Sequence, residues 1–499
     1  MGGRGMTLPP DLGRHSDWSG VRVVVAGFGV SGYAAADNLT FLGARVTALD
    51  EQEADKGGGP DRRERADLLE SLGATVRLGE GSTATLPDDT DLVITSPGWS
   101  PRAPLLAQAL ERDVPVWGEV ELAWRLRDPD EPGGPAPWLA VTGTNGKTTT
   151  VQMLEAMLRA AGLRTVAAGN VGKPIVEAVM DPDPYDVLAV ELSSFQLHWT
   201  HSVRAESAAV LNVAEDHLDW YPGPTGMADY ARDKGRIYEG VERACVYNVA
   251  DPVTEQLVRD AEVTEGARAV GFTLGTPGVG MLGVVDDVLA DRAFVEDRRT
   301  SAAELATLGD LASDAPHFVA DALAAAALAR AHGVPPVAVR DALRAFRPDG
   351  HRIAVVDELD GVVWVDDSKA TNPHAARASL AAYDPVVWVA GGLAKGASFD
   401  DLVVAVRDRL RGVVLLGRDA PVIRESLRRH APDVPVIEVT AGEDETRPMD
   451  RVVDGAASLA RPGDTVLLAP GCASMDMFAD YGARGDAFAE AVHRRRRHS

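Results

Sequence analysis

The chain is poor in cysteine: its 499 residues include only Cys245 and Cys472. Two cysteines cannot build a disulfide framework or a cysteine-based zinc site. Positive charge is scarce as well. Lysine and arginine number 50 against 75 aspartates and glutamates, giving a net charge of −25. Such a surface repels phosphate backbones and anionic membranes, so neither nucleic acid nor membrane is an expected partner. The basic run Arg494 to Arg497 reads as a solvated terminal tail. No apolar run approaches the ~18 residues of a membrane span. The opening stretch MGGRGMTLPPDLGRHSDW has no apolar h-region and reads as a floppy leader rather than a signal peptide. No short tandem repeat is visible. A cytoplasmic enzyme is the default reading, and a monomer is the expected state, though nothing in the sequence fixes it.

What is present is ordinary globular composition, 45% hydrophobic and 25% charged. The length asks for more than one core, with two to four domains as the prior. The first ordered unit opens at VRVVVAGFGVSG. Val21 to Ala26 is a continuous apolar run, as a strand buried on both faces requires. Gly27, Gly29 and Gly32 follow in G-x-G-x-x-G spacing, then a helical pattern, then a strand ending at Asp50. An acid at that distance completes a dinucleotide-type βαβ fingerprint. Read alone the loop suggests NAD, but the helix N-terminus it creates suits any pyrophosphate, including that of a UDP-sugar.

A Pro/Gly-rich stretch, DPDEPGGPAP, reads as a surface connection before a second strand series. That series opens with WLAVTGTNGKTTT. Gly146-Lys147-Thr148 ends like a Walker A loop, but Val141 stands where the first glycine of G-x-x-x-x-G-K-[ST] belongs. Strand, loop and helix still present free N–H groups to phosphate. Lys147 is placed to meet β- and γ-phosphates and Thr148 to ligate Mg²⁺. A surface lysine after a glycine turn is the plainer alternative, and the context argues against it. Glu191 ends the strand of DVLAVELSS, where a carboxylate near a triphosphate is a natural Mg²⁺ ligand. His217, in NVAEDHLDWY, follows another strand. A lone histidine is more often structural, but this one belongs to a nucleotide-binding sheet. A third strand series ends in polar loops, VDDSKATNP, GGLAKGASF and APGCASMDMF, on one sheet edge. Three α/β domains are therefore expected: 1–119, 120–349 and 350–499.

These strings occur in a familiar order. TGTNGKTT, GNVGKP, ELSSFQL, NVAEDHLDWY, His351-Arg352, DDSKATNP and APGCAS together resemble the Mur ligases, the ATP-dependent amide ligases of peptidoglycan precursor synthesis. The likeness runs from about Val21 to Ala489. The dinucleotide-like first domain and SKATN most resemble the branch that adds D-glutamate. The family's own P-loop has this truncated form.

The resemblance implies a Rossmann-like N-terminal domain for UDP, a central P-loop ATPase domain, and a C-terminal Rossmann-like α/β domain for the amino acid. ATP would phosphorylate the carboxylate of UDP-N-acetylmuramoyl-L-alanine, and the D-glutamate amine would attack the acyl phosphate. By motif, ATP falls to Gly143, Thr144, Asn145, Gly146, Lys147, Thr148, Thr149, Asp321, Arg352 and Asp367. Thr148 and Glu191 would hold one Mg²⁺, and His217 with a carbamylated Lys234 a second. Lys147, His217, Lys234 and Lys369 would carry the chemistry. Gly29, Val30, Ser31, Asp50, Gly98, Asn170 and Gln196 match the UDP-sugar side. Thr371, Lys395, Ser474 and Tyr481 match the D-glutamate pocket. Two places depart from the family. Phe318 and Asp321 stand where asparagines near adenine are usual, and Glu51-Gln52 stand where Thr-Arg is usual. The alternatives are a related Mur-type or folylpolyglutamate-type ligase using another amino acid, and a non-catalytic nucleotide- or NAD-binding module.

Overall fold

The computed structural model describes residues 8–9, 11–53, 60–348, 350–439 and 447–497. Three sheets carry the chain. The first holds β1 (Arg22–Ala26), β2 (Arg45–Asp50), β3 (Thr75–Leu78), β4 (Leu92–Thr95) and β5 (Val116–Gly118). Their order is β3-β2-β1-β4-β5 and every pair is parallel. The end of β1 therefore lies at the switch point, where the chain departs to either side and ligands bind.

The second sheet holds β6 (Trp138–Thr142), β7 (Thr165–Gly169), β8 (Val187–Glu191), β9 (Ser207–Val210), β10 (Ala244–Asn248), β11 (Arg268–Phe272), β12 (Met281–Val285), β13 (Val288–Asp291) and β14 (Ala303–Thr307). The order is β14-β13-β12-β11-β10-β9-β6-β8-β7. β6 lies between β8 and β9 in parallel register, so the loops after these three strands share one edge. The segment Gly271 to Ala315 adds the antiparallel ladder β12 to β14. It is anchored by the buried Leu282, Leu289 and Leu305.

The third sheet holds β15 (Ala354–Leu359), β16 (Val362–Asp366), β17 (Val386–Gly391), β18 (Leu410–Leu416), β19 (Val436–Val439) and β20 (Thr465–Leu468), ordered β15-β16-β20-β17-β18-β19. All its pairs are parallel except β15 with β16. β16, β20 and β17 are neighbours, so the three polar strings end on one edge.

The chain forms two compact units. One holds residues up to Val213 together with Ala228–Phe346, and the other holds Ala214–Met227 with the residues from Arg347 onward. Among the described residues no helix is long and apolar enough to cross a membrane.

Two readings of the termini are corrected. The described part of the leader is packed: Leu12 and Trp18 are each 1% exposed, and the Trp18 indole donates to Gly13 O at 3.0 Å. The burial of one leucine and one tryptophan has no periodicity to announce it. The basic run is no loose tail either. Arg494, Arg495 and Arg496 lie in helix Tyr481–Arg496 and pair with Asp450, Asp454 and Asp357 at 2.7, 2.6 and 3.0 Å. Their acids are remote in sequence, and arginines also suit a helix C-terminus.

Two buried glutamates join the first sheet to the second, both on helix Glu119–Arg125 directly after β5. Glu121 is saturated. It accepts from His201 N, Ser202 N, the Ser202 hydroxyl and Arg125 Nε at 2.7 to 3.0 Å. Burial pushes its pKa up, but the Ser202, His201 and Arg125 bonds outweigh that and hold it below the usual carboxylate range. Glu119 is 2% exposed and accepts from Val176 N at 3.0 Å, while its Oε2 has no partner among the described residues. Burial therefore raises it to about 7, against the opposing bonds from Val176 and Ser31.

The native fold thus holds an extra proton on Glu119 between its ordinary value of 4.5 and about 7. Its contribution to stability is full below the lower value and is lost as pH rises through the upper one. Glu119→Gln stays neutral and keeps an acceptor for Val176 N. The variant is expected to flatten the fall in stability across that window and to exceed the parent above pH 7, by up to roughly 3 kcal/mol. Identical denaturation profiles against pH would show that Glu119 does not titrate there.

Gly32 supplies a second expectation. A Cβ at Gly32 would lie 2.0 Å from Gly27 O, whereas one at Gly29 meets nothing within 4 Å. Gly32→Ala should cost about 1–3 kcal/mol through forced backbone movement, and Gly29→Ala well under that. Equal melting temperatures for the two variants would mean that the close approach does not exist.

Candidate active site

On the first sheet, the loop after β1 turns at Gly27, where φ is 99°. Gly29 caps helix Val30–Phe41 without any side-chain cap bond, leaving the first-turn N–H groups available to an anion. Asp50, at the end of β2, braces the loop by accepting from Phe28 N at 2.6 Å. Its carboxylate also pairs with Arg62 at 3.0 Å. Arg62 lies over the Phe28 ring, 5.7 Å from its centroid, and reaches Gln52 Oε1 at 3.2 Å. Arg62 comes from the following helix, and no local pattern of the sequence points to this contact. The buried Ser96 hydroxyl has no partner among the described residues, and a Cβ on Gly27 would approach it to 2.5 Å. Ser31 turns its hydroxyl to Glu119. Val30 and Gly98 are exposed at the rim.

On the second sheet, β6 runs into the loop 143–146, and helix Lys147–Ala160 starts from Gly146 at φ 85°. A Cβ on Gly146 would lie 2.2 Å from Asp321 Oδ1, so glycine is required by conformation and by contact. Asn212, just past β9, clamps the loop. Its Oδ1 accepts from Asn145 N at 2.9 Å, its Nδ2 donates to Asn145 O, and its O accepts from Thr144 N. The Thr144 hydroxyl is 3.1 Å from Tyr230 OH. Lys147 Nζ folds back to Gly143 O at 2.9 Å and Thr144 O at 3.0 Å. Lys234, 1% exposed, donates to the same Gly143 O at 2.8 Å and lies 4.5 Å from the centroid of the Tyr230 ring.

Glu191, 1% exposed, ends β8. Its Oε1 accepts from Asn170 Nδ2 at 2.8 Å, and its Oε2 has no partner among the described residues. The Thr148 side chain makes no hydrogen bond among the described residues, whereas Thr149 is buried in the helix. An orphaned carboxylate oxygen and a hydroxyl beside a phosphate loop fit a hard divalent cation such as Mg²⁺. The Lys234 ammonium does not fit as a ligand in its plain form, because a cation repels a metal. Gln196 is occupied locally: its Oε1 closes a capping box with Ser193 on helix Ser194–His198. Phe318 packs against Phe346, ring centroids 6.2 Å apart.

The second unit gathers the remaining candidates. Arg484, 1% exposed, ties three strand ends together. It donates to Ser368 O and Oγ at 2.8 and 3.0 Å, to Cys472 O at 3.0 Å and to Gly391 O at 3.4 Å. Ser368 Oγ donates on to Tyr481 O at 2.7 Å, and Lys369 Nζ sits 3.8 Å from the centroid of the Tyr481 ring. Asp367 is buried and bonded to the Ser379 hydroxyl and Ile353 N. Burial raises it to about 6 despite those bonds and nearby Arg352. His351 Nδ1 is 2.6 Å from Asp366 Oδ2.

The His217 loop belongs to this unit. Its Asp216 takes Lys395 Nζ at 3.0 Å and Asn372 Nδ2 at 3.3 Å. His217, His351 and Lys395 all have positive φ, 56°, 65° and 51°, a strained backbone that collects at functional sites. Thr371, next to Asn372, is partly buried, and Ser474 is 4% exposed. Arg62, Ser96, Asn212, Asp216, Tyr230 and Arg484 were not singled out from the sequence. Asn212 and Asp216 lie inside the NVAEDHLDWY string, but their partners, 67 and 179 positions away, come near only in the fold.

Comparison with known proteins leads to one family. The Mur ligase middle domain matches residues 141–329, and the Mur ligase glutamate ligase domain matches residues 351–472. The UDP-N-acetylmuramoylalanine–D-glutamate ligase of Streptomyces avermitilis is 62% identical over 479 residues, covering 96% of this chain and 99% of that one. The enzyme of the same name from Thermobifida fusca is 55% identical over 95% of this chain and 98% of that one. The solved UDP-N-acetylmuramate–alanine ligase of Thermotoga maritima shares the fold at a TM-score of 0.55 and 18% identity, covering 95% of this chain and 99% of that one. Matched by these family models and, along nearly its whole length, by relatives of 55 and 62% identity, the chain belongs to the Mur ligase family.

Proposed function

We propose that the protein is the D-glutamate-adding ligase of peptidoglycan precursor synthesis. It forms an amide between UDP-N-acetylmuramoyl-L-alanine and D-glutamate, with ATP cleaved to ADP and phosphate. The carrying observation is similarity to enzymes of that name along essentially the whole chain, at 62% identity in one case. That length and identity also leave the non-catalytic and other-amino-acid readings without support.

The reaction has two balanced steps. A carboxylate oxygen of the L-alanyl group attacks the γ-phosphorus and ADP departs. The deprotonated amine of D-glutamate then attacks the acyl carbon and phosphate departs. The first step brings two anions together, so positive charge must be placed before reaction. Lys147 supplies it at the phosphates, from the N-terminus of its helix. Mg²⁺, when bound, supplies further charge neutralisation between phosphate and carboxylate. Thr148 and Glu191 would hold it, supported by the orphaned Glu191 Oε2 among the described residues. A second ion would fall to His217 and Lys234, the latter as its carbamate. Burial of Lys234 next to a carbonyl and a phenol suits a group whose charge is to be changed.

The first sheet, within 1–119, would hold the UDP moiety through the Gly29 loop, Ser31, Asp50 and Ser96, with Arg62 at the base. Within 120–349, Asn170 reaches the substrate side through Glu191. Within 350–499, Arg352, Asp367 and Lys369 serve ATP, and Thr371, Lys395, Ser474 and Tyr481 form the amino-acid pocket. A cytoplasmic location follows from the substrates.

Phosphate release measured with ATP, Mg²⁺, UDP-N-acetylmuramoyl-L-alanine and D-glutamate tests the activity. Turnover should need all four, and equal release with L-glutamate, or none at all, would sink the proposal. Lys147→Ala should fold normally and lose about 10²–10³ in rate, the worth of one group acting on transferring charge. Lys234→Ala should be nearly inactive and partly rescued by short carboxylic acids, which restore an oxygen ligand. Lys234→Arg should resist rescue, because its guanidinium stays charged and fills the space. Parent-like turnover of Lys234→Ala at saturating Mg²⁺ would remove this lysine from the site.

A further inference from the structure

Helix Pro373–Leu380, in the second unit, is held at both ends. At its N-terminus the Asn372 side chain accepts from Ala375 N and donates through Nδ2 to Asp216 Oδ2 at 3.3 Å. In its last turn Ser379, 3% exposed, donates its hydroxyl to Asp367 Oδ2. The same hydroxyl lies 3.1 Å from Ala375 O, the local acceptor that a helical serine ordinarily takes. The helix therefore joins Asp216, which holds Lys395, to Asp367, which is proposed to serve ATP.

Asp367 directly follows β16 and is 7% exposed. Its Oδ1 accepts from Ile353 N at 3.3 Å, a long bond, so the Ser379 hydroxyl is the close donor to this carboxylate. Two charged groups act on it. Arg352 favours its ionisation, and Asp366, itself 2.6 Å from His351 Nδ1, opposes it. The Tyr383 phenol is raised by burial and by Asp367. His374 and Arg377 of the helix are exposed, and the adjoining strand β20 (Thr465–Leu468) carries no charged residue. Burial dominates and lifts Asp367 to about 6, and the Ser379 bond is the largest influence against that rise, ahead of Arg352.

An ionised carboxylate offers about four acceptor positions and no donor. Ile353 N and the Ser379 hydroxyl take one on each oxygen of Asp367, and the rest remain for the hydroxyl or amino donors of a nucleotide. A protonated Asp367 would accept less strongly and present a donor of its own. We infer that Ser379 is a positioning residue for the nucleotide: its hydroxyl fixes the orientation of the Asp367 carboxylate and holds it in the anionic form that accepts from ATP. The inference rests on the placement of Asp367 at ATP proposed above. No string of the sequence points to Ser379, because a serine near the end of a helix is ordinary and its partner lies on the strand end before that helix.

Turnover of the full-length protein at varied ATP, followed from acid to mildly alkaline pH, tests the role. Removing the donor lets burial lift Asp367 further above about 6, so the acid limb of kcat/KM for ATP moves to higher pH. Ser379→Ala should move that limb up by about one pH unit, the worth of a hydrogen bond to a charged group. The loss should fall on KM for ATP more than on kcat. Alanine suits a helix at least as well as serine, so this variant should fold. Ser379→Thr keeps the hydroxyl and should keep the parent limb; should its extra methyl not fit, Ser379→Ala carries the test alone. ADP titrated calorimetrically over the same pH range should show the same displacement. A lower melting temperature with an unmoved limb in Ser379→Ala would make the hydroxyl purely structural and overturn the inference, and so would a limb moved equally in a folded Ser379→Thr. A parent without turnover would strike the proposed ligase reaction, and the pH dependence of ADP binding would still decide the role of Ser379.

Discussion

Two lysine side chains converge on one backbone oxygen. Lys147 and Lys234 both donate to Gly143 O, at 2.9 and 2.8 Å. Like charges so close, and partly out of water, repel strongly. The arrangement becomes favourable once an anion arrives or once one lysine is converted to an anion. Much of the central unit serves to impose it. The order β9-β6-β8 puts Asn212, Gly143 and Glu191 on adjacent strand ends. Asn212 pins the loop from one side, and Tyr230 places both a hydroxyl on Thr144 and a ring beneath Lys234. Asp321 occupies the space that a side chain on Gly146 would need. The positive end of helix Lys147–Ala160 adds to the same field. The chain's net charge of −25 makes this local reversal of sign all the more dependent on fixed geometry.

The same reasoning explains what could be read from the sequence. Parallel α/β sheets concentrate their chemistry at strand C-termini, and each such strand is a compact apolar run. Val21 to Ala26, WLAVTG, DVLAVE and VVWVAGG could therefore be placed, and the polar strings after them had to be loops on the sheet edges. Glycine positions fixed by backbone geometry, such as Gly32 against Gly27 O, were legible for the same reason. The braces were not. Arg62, Asn212, Asp216 and Arg484 act across long separations and carry no local period. The antiparallel ladder of β12 to β14 was missed because its strands are short and flanked by polar turns. The leader and the arginine-rich end were misread because their burial and their ion pairs depend on partners that folding alone brings near.

The two buried glutamates after β5 show how environment, not residue type, decides charge. Glu121 and Glu119 lie two positions apart on one short helix, and both are buried. Four donors, one of them the Arg125 guanidinium, hold Glu121 below the usual carboxylate range, while deeper burial and one orphaned oxygen leave Glu119 raised to about 7. The difference lies in desolvation and in the donors each carboxylate meets. It also puts a proton-sensitive group beside Ser31, in the loop proposed to hold pyrophosphate.

Asp216 extends this logic to the second unit. Its carboxylate holds Lys395 and Asn372 together in the protein as it stands. Lys395 is the residue proposed to meet a carboxylate of D-glutamate. For that contact to form, one carboxylate must replace another on the same ammonium. Such an exchange keeps Lys395 paired but takes its ammonium from the buried Asp216, whose carboxylate is then left to Asn372 and the neighbouring His217. In the proposed pocket, Asp216 would balance the charge of Lys395 before the amino acid enters. It sits beside His217, on the loop that packs with the third sheet. The positive φ of both His217 and Lys395 is the backbone strain accepted to bring the two strings together. A carboxylate-for-carboxylate exchange also favours acidic amino acids over neutral ones, because a neutral side chain would leave Lys395 with Asp216 and gain nothing from it.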